Sequence, residues 1–402
     1  MNARRPHEPT RDFLPQSNTW DDAENRSMAL GCASCVWRER CGGIHVPAQA
    51  YNCLSFCSCA DPAKCDMVCP NNSTFKQRLR EVGGLALDDV PRAKKLRLAN
   101  LPDVIPYIQH NSLRERALQV PAAAIPLFHL YNKQTGELHF QTRDQIAAHF
   151  RIDPAADLVA TGVDRDPKVE SWWEWFSGDT ARLASLRQLG ISLITVPNFS
   201  LFTNVPRLDN LHAMKRIALS WSGIMRNGMH AALHVNARTA FDYDRWVAFI
   251  RARSEVQAIA FEFGTGCGHG SRIEWHVRKL CELADQAGRP LTLVLRGGLS
   301  HARRLRSKFS HVVVIDTASF RRTVNRQFGT YVSPGKVHWA TQQMEPEALL
   351  DDLFAHNVLV EAERVRTLQP PKVKTPRGSS AHRARPASHT DRQPGQLPLL
   401  RE

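Results

Sequence analysis

The sequence predicts an α/β fold, with a (β/α)8-like barrel as the first choice and an open parallel α/β sheet as the alternative. Between residues 100 and 355, short apolar segments alternate with longer segments whose apolar residues recur at helical spacing. The short segments are too apolar to have a solvated face, which is typical of parallel strands covered by helices on both sides. There are eight such segments, the number of strands in a closed barrel.

The eight segments predict the strands in chain order. They are Val104–Gln109, Ile125–Leu130, Leu158–Val163, Ser192–Val196, Ala231–Val235, Ala258–Glu262, Leu291–Leu295 and Val312–Ile315. The first two have the weakest strand patterns, and for this reason the open sheet remains the alternative.

The segments between the strands carry helix signals. Ser271 and Glu274 form a capping-box pattern that begins a helix, and Gly288 ends it. A similar apolar stripe between Leu208 and Met225 predicts a second long helix. We expect these helices to cover the outside of the sheet.

The chain divides into four parts by composition. With 402 residues, of which 43% are hydrophobic, it is long enough for a barrel with additions at each end. The sequence predicts a disordered N-terminus (1–27), a cysteine-rich metal-binding module (28–75), the barrel (76–365) and a disordered basic tail (366–402).

Eight of the ten cysteines are concentrated near the N-terminus, which indicates a shared function. They are Cys32, Cys35, Cys41, Cys53, Cys57, Cys59, Cys65 and Cys69. Disulfides are disfavoured because no export signal is present. Only Cys32 and Cys35 form the CxxC pair that is usual at zinc sites. The irregular spacing, with Pro70 after Cys69, favours an iron–sulfur cluster, and zinc is the alternative.

The sequence indicates neither export nor membrane insertion. No apolar run approaches the roughly 18 residues that a membrane helix needs. The charged residues at the N-terminus are not followed by an apolar stretch, as they would be in a secretory signal. We therefore expect a cytoplasmic protein without a membrane partner.

The chain is strongly basic, with a formal net charge of +14. Nine Lys or Arg residues lie between Arg289 and Arg326, against the single acidic residue Asp316. Positive charge of this density favours polyanionic partners, and we expect nucleic acid, DNA more than RNA.

Polar side chains collect where the predicted strands end, which is where parallel α/β folds place their sites. The predicted catalytic residues are Asp316 as nucleophile, Asp164 or Glu262 as acid or base, and Asn198. Substrate contacts are predicted for His234, Asn236, Arg238, Arg296, Gly297 and Gly298, with the arginines holding phosphate. The alternative interpretation is that Asp164 and Asp316 only cap the helices that follow them.

The chain ends in a short apolar peptide on its basic tail. Gln396, Leu397, Leu399 and Leu400 resemble the Q-L-x-L-[FL] peptide by which bacterial DNA polymerases and repair proteins bind the sliding clamp. The resemblance implies the clamp as a possible partner, and a chance apolar terminus is the alternative.

Residues 155–330 resemble an uncharacterised domain family of phages, plasmids and bacterial genomes. The resemblance is carried by Pro197, Asn198, Phe199 and Ser200, because the family core reads P-D-F-S-x-[YF]-x3-P. Asparagine here replaces the usual aspartate, and the family has no established activity that would carry over to this chain.

A more distant resemblance is to guanine transglycosylases, which are (β/α)8 barrels. Their Gly-Gly-Leu turn binds the base, and Gly297, Gly298 and Leu299 are similar to it. The resemblance implies that Asp316 stands where a nucleophile would act. The cysteines precede the barrel here, whereas the zinc-binding cysteines of that family follow it.

Two functions are compatible with these patterns. The first is a metal-cluster-containing enzyme of a mobile-element or defence context that acts on a nucleic-acid base or its glycosidic bond. The second is a non-catalytic DNA-associated protein that works through contacts with the clamp and with DNA.

Overall fold

The predicted barrel is confirmed by the computed structural model, which describes residues 75–202, 207–264 and 271–368. The strands are β1 (Val104–Pro106), β2 (Ala122–Pro126), β3 (Asp157–Thr161), β4 (Leu193–Thr195), β5 (Ala231–His234), β6 (Ala258–Glu262), β7 (Thr292–Arg296) and β8 (His311–Asp316). All pairings are parallel, in the order β1-β8-β7-β6-β5-β4-β3-β2. A parallel bridge between Tyr107 and Ala124 joins the two edge strands, so the sheet is nearly closed into a barrel.

Helices surround the barrel. Those of the described residues are α1 (Phe75–Val82), α2 (Arg143–Phe150), α3 (Asp166–Phe176), α4 (Thr180–Gln188), α5 (Arg207–Arg226), α6 (Ala240–Arg251), α7 (Ser271–Ala287), α8 (Ala302–Arg306), α9 (Ala318–Val324) and α10 (Asp351–Arg366). The two helices predicted from the capping box and from the long apolar stripe are confirmed as α7 and α5. None of the helices in this part of the chain is long and apolar enough to cross a membrane.

Two elements differ from the sequence prediction. The second strand was predicted over Ile125–Leu130, but β2 ends at Pro126 and a 3-10 helix, Leu127–His129, follows it. The strand begins in three alanines, which give a weak apolar signal although all of them are buried. An antiparallel hairpin of β9 (Gln327–Ser333) and β10 (Lys336–Thr341) was not predicted, because most of its residues are partly or fully exposed.

Alternation along the strands divides their side chains between two cores. One apolar cluster lies inside the barrel and includes Ile105, Val159, Val294 and Ile315. The residues between them face the surrounding helices and join a larger outer cluster. Alanines occupy many inner positions, which leaves the barrel interior room for larger side chains elsewhere.

The inner positions become polar at the carboxyl ends of the strands. Two residues beyond the apolar inner layer, six of the eight strands place an inward-facing side chain that can form hydrogen bonds. These side chains are Tyr107, Thr161, Thr195, His234, Glu262 and Arg296, and this set is here called the polar layer. A packed apolar core would exclude such groups, so the polar layer makes this end of the barrel the candidate site.

Residues 86–90, which precede the barrel, are held by two buried cations, one on α5 and one just after α6. Lys215 donates to the carbonyl of Ala86 at 2.5 Å and to the carboxylate of Asp89. The guanidinium of Arg253 donates to the carbonyls of Leu87, Asp88 and Val90. Because these charges are removed from water, the carbonyls replace their hydration and the segment is held in place.

The tryptophans of α3 pack against the protein. Trp172 is buried and stacks on Phe176 with ring centroids 4.5 Å apart. Trp175 donates its indole N–H to the carbonyl of Lys133 at 2.8 Å. Cys281 is also buried as a free thiol within the outer core.

The turn after β7 is constrained at Gly298 by both conformation and space. Gly298 has φ +65° and an added Cβ would lie 2.5 Å from the ring of Phe263, whereas Gly288 has φ +67° and open space around it. Gly288→Ala is expected to lower the free energy of unfolding by about 1–2 kcal/mol through conformational strain alone. Gly298→Ala is expected to cost a further ~1–3 kcal/mol because the buried ring must move.

Urea unfolding of both glycine variants measures this difference. Equal losses of stability in the two variants would contradict the close packing of Gly298 on Phe263.

Candidate functional site

A cavity of about 410 Å³ opens at the carboxyl ends of β3 to β6. Six of the residues predicted from strand ends lie together in its wall: Asp164, Asn198, His234, Asn236, Arg238 and Glu262. Its volume is in the range of small-molecule binding sites. The polar layer therefore continues into a cavity that is accessible to a ligand.

Glu262 is the buried carboxyl group of the site. One oxygen accepts from the backbone N–H of Gly264 at 2.5 Å, and the other lies 3.3 Å from Nε of Arg296. Burial raises the pKa of Glu262 to about 7, and the charge of Arg296 with the Gly264 hydrogen bond opposes this rise. The carboxyl group can therefore both donate and accept a proton near neutral pH.

His234 faces the same cavity as a neutral imidazole. It is completely buried, and burial followed by the charge of Arg296 lowers its pKa to about 3. Its Nε2 atom has no hydrogen-bond partner among the described residues. A buried polar atom without a partner costs about 1–3 kcal/mol, so a ligand that pairs with it recovers this energy.

The two predicted arginines are held by protein contacts. Arg296 lies with its guanidinium carbon 4.9 Å from the centre of the Tyr107 ring and donates to the carbonyl of Val163 at 3.3 Å. Arg238 donates to the carbonyl of Leu201 at 2.7 Å and to the amide oxygen of Asn236 at 3.1 Å. These contacts fix both guanidinium groups at the site.

The P-N-F-S segment supplies one side of the cavity wall. Its backbone is held by a hydrogen bond from Asn198 N–H to the carbonyl of Gly162 at 2.8 Å. The amide oxygen of Asn198 is buried and has no partner in the described part of the chain. Ser200 donates to Asp166 at 2.6 Å, so the segment is tied to the start of α3.

Asp164 brings a second carboxylate to the cavity. Lys168, one turn along the chain, donates to it at 2.8 Å and also lies 3.3 Å from Nε2 of His129. Burial, followed by the charge of Lys168, lowers the pKa of His129, so its ring accepts this hydrogen bond as a neutral group. Asp164 is thus held by an ion pair that leaves it partly exposed to the cavity.

Asp316 does not line this cavity. It has the same strand face as Val312 and Val314 and points into the helix layer, where it accepts from the N–H groups of Ala318 and Ser319 at 2.8 and 3.1 Å. Burial raises its pKa. These contacts match the helix-capping alternative, and the predicted role as nucleophile stays a prediction.

The glycine turn also lies outside the cavity wall. Gly297 and Gly298 pack on Phe263, and both have positive φ. The glycine-rich loop 265–270 lies outside the described residues.

The basic segment between Arg289 and Arg326 is largely engaged within the protein. Seven of its nine cations contact carbonyl or side-chain oxygens: Arg289, Arg296, Arg304, Arg306, Lys308, Arg322 and Arg326. Arg303 and Arg321 are exposed. The segment is therefore not a free cationic stripe, although a count of charges along the sequence suggests one.

The residues predicted to bind a metal or the sliding clamp do not belong to the described part of the chain. The eight cysteines and the terminal peptide (Gln396, Leu397, Leu399 and Leu400) lie outside the described residues. Within the described ranges, no group of three or more His, Cys, Asp or Glu side chains is arranged to hold a metal ion.

Three residues of the site were not predicted from the sequence. Tyr107 extends the polar layer, Arg165 is exposed at the cavity, and Lys168 holds Asp164. Tyr107 was recognisable in principle, because it stands two positions after the inward-facing Ile105.

Comparison with known proteins does not assign the chain to a family. None of the models of known protein families matches the chain, and no curated protein matches it.

The raised pKa of Glu262 predicts a pH-dependent stability. Below pH 4.5 the carboxyl group is protonated in both the folded and the unfolded protein. As the pH rises from 4.5 to about 7, the unfolded protein loses this proton first. The free energy of unfolding therefore decreases over this pH range. The shift corresponds to on the order of 3 kcal/mol. Glu262→Gln removes this dependence, so its stability relative to the wild type is expected to increase between pH 5 and pH 8.

Urea unfolding at these two pH values tests the prediction. The control is Glu347→Gln, at an exposed position with no ion pair in the described chain, whose difference from the wild type should stay constant. A pH-independent difference for Glu262→Gln would show that the carboxyl group ionises normally.

Proposed function

We propose that this chain is an enzyme that acts on a nucleic-acid base or its glycosidic bond. The observation that carries the proposal is the buried Glu262, with a pKa of about 7, in the same cavity wall as the neutral imidazole of His234, whose Nε2 has no partner among the described residues. Such groups are costly in a packed barrel and suited to proton transfer.

The two carboxyl groups of the cavity suit glycosidic-bond chemistry. Glu262, in its protonated form, donates a proton to the departing base as the glycosidic bond breaks. Water, or the incoming base in an exchange, bonds to the sugar carbon in place of the departing base, and the proton that it loses returns to Glu262. Asp164, paired with Lys168, stabilises the positive charge that develops on the sugar. One acid and one carboxylate in different surroundings are the arrangement that this bond requires.

The remaining polar groups suit the edge of a heterocyclic base. Nε2 of His234 and the amide oxygen of Asn198 are buried atoms that lack partners within the described chain. Arg238 and the exposed Arg165 place positive charge in the same wall, where a phosphate or sugar of the strand would lie. The net charge of +14 favours association with nucleic acid over a neutral metabolite.

Base release measures the proposed activity. The probes are mixed-sequence DNA, single-stranded and duplex, and unfractionated tRNA, with free bases quantified by chromatography and exchange followed with labelled guanine. Glu262→Gln is expected to lower the rate about 10²–10⁴-fold, as for loss of a general acid. The control Glu347→Gln should retain the wild-type rate.

The second candidate function is a non-catalytic DNA-associated protein. It is favoured by the clamp-like peptide at 396–400 on the basic tail. If it is correct, deletion of 396–400 abolishes binding to a purified sliding clamp, and Glu262→Gln leaves binding to the clamp and to DNA unchanged. If the protein releases bases and Glu262→Gln abolishes this release, the chain is an enzyme. DNA and clamp binding would then not be its whole function.

We further propose that the cysteines from Cys32 to Cys69 bind an iron–sulfur cluster, with zinc as the alternative. Anaerobic purification is expected to yield a brown protein that contains iron and acid-labile sulfide. Colourless protein with stoichiometric zinc would establish the alternative, and protein free of both metals would contradict the metal module.

A further inference from the structure

A second concavity adjoins the candidate site. It is an open groove of about 690 Å³ between the 3-10 helix after β2, the loop at 131–140, and α2. Lys133 and Lys168 provide positive charge, and His139, His149 and Phe140 provide flat rings. No Asp or Glu is among the residues that line it.

The groove and the cavity share one wall. Lys168 lines the groove and donates to Asp164 of the cavity at 2.8 Å. On the groove side, the same ammonium group lies 3.3 Å from the ring of His129. A ligand that extends out of the cavity past Asp164 therefore meets the groove next.

The wall of the groove is preformed. A bridge joins Tyr131 to Leu138, and Asn132 N–H donates to the carbonyl of Glu137 at 2.8 Å. The carbonyl of Lys133 is fixed by the indole of Trp175 at 2.8 Å. Binding therefore does not require the loop to become ordered.

The exposed rings suit a planar base. His149 is exposed, and its ring contacts Phe140 with centroids 5.1 Å apart and the ring planes inclined by 58°. His139 is exposed on the adjoining strand of the loop. Aromatic and imidazole faces stack on any nucleobase, while lysines attract the phosphate beside it.

We propose that this groove binds the nucleotide next to the target nucleotide in the same strand. The inference rests on the proposed function, because the target nucleotide is assigned to the cavity. It adds that the substrate is a nucleic-acid strand and not a free nucleoside or nucleotide. Phosphate is held by Lys133 and Lys168, and the neighbouring base stacks on His149.

A series of ligand lengths tests the inference. Calorimetric titration compares a mononucleotide, a dinucleotide and a tetranucleotide of each base, as DNA and as RNA, with the full chain. Wild-type protein is expected to gain on the order of tenfold in affinity when the second nucleotide is added. DNA and RNA series show which sugar the groove accepts.

The variant Lys133→Ala/His149→Ala is expected to lose this gain. Its matched control is Lys336→Ala/His338→Ala, which removes an exposed lysine and histidine from the hairpin β9–β10. The groove variant should also lower the salt dependence of oligonucleotide affinity, by about 0.7 in the slope of log K against log salt for one lost phosphate contact. Thermal unfolding verifies that both variants are folded.

The outcomes separate this inference from the proposed function. If wild-type affinity does not rise with length, or if the groove variant binds oligonucleotides like its control, the groove inference is rejected while base release stands by itself. If affinity rises with length but no base is released, the groove is supported and the proposed reaction is rejected. Absence of nucleotide binding at every length contradicts both.

Discussion

The contact between Glu262 and Arg296 inside the end of the barrel is the constraint on which the site depends. Both side chains face inward on neighbouring strands that pair in register. Burial favours the neutral acid, whereas the guanidinium at 3.3 Å favours the carboxylate. Because the two effects oppose each other, the pKa of Glu262 lies near neutral pH. The same guanidinium also lowers the pKa of His234, so one cation acts on two titratable groups that face the cavity.

The barrel creates room for this arrangement by using small residues below it. Ala232 and Ala260 are the inner residues immediately before His234 and Glu262, and Ala122 and Ala124 are inner residues of β2. Large side chains at these positions would fill the interior and displace the polar layer. The alanines that weakened the strand signal of β2 are therefore part of what makes a site at the barrel end possible. Propensity alone does not reveal this role, because it depends on which strands meet across the barrel.

The sequence predicts where the strands end, but it does not by itself show which face of the sheet each strand-end side chain occupies. Asp164, His234 and Glu262 were correctly expected at one end of the sheet, and the structure brings them to one cavity. Asp316 follows its strand equally closely, yet it lies one position out of phase with the inner residues and faces the helices. The count of cations in the segment from Arg289 to Arg326 likewise could not anticipate that most of them bind carbonyls and acids contributed by distant segments.

Two of the polar residues in the cavity wall bury atoms that have no partner among the described residues. Arg238 and Asn236 pair with each other and with the backbone, and Ser200 donates to Asp166, so these contacts do not need a ligand. His234 and Asn198 each bury an atom that the described chain leaves without a hydrogen bond. At about 1–3 kcal/mol for each such atom, this cost is a substantial fraction of the net stability of a folded domain. An apolar residue of similar size would avoid it. Water that enters the cavity can complete these two groups, and the proposed substrate would do so with its own donors and acceptors.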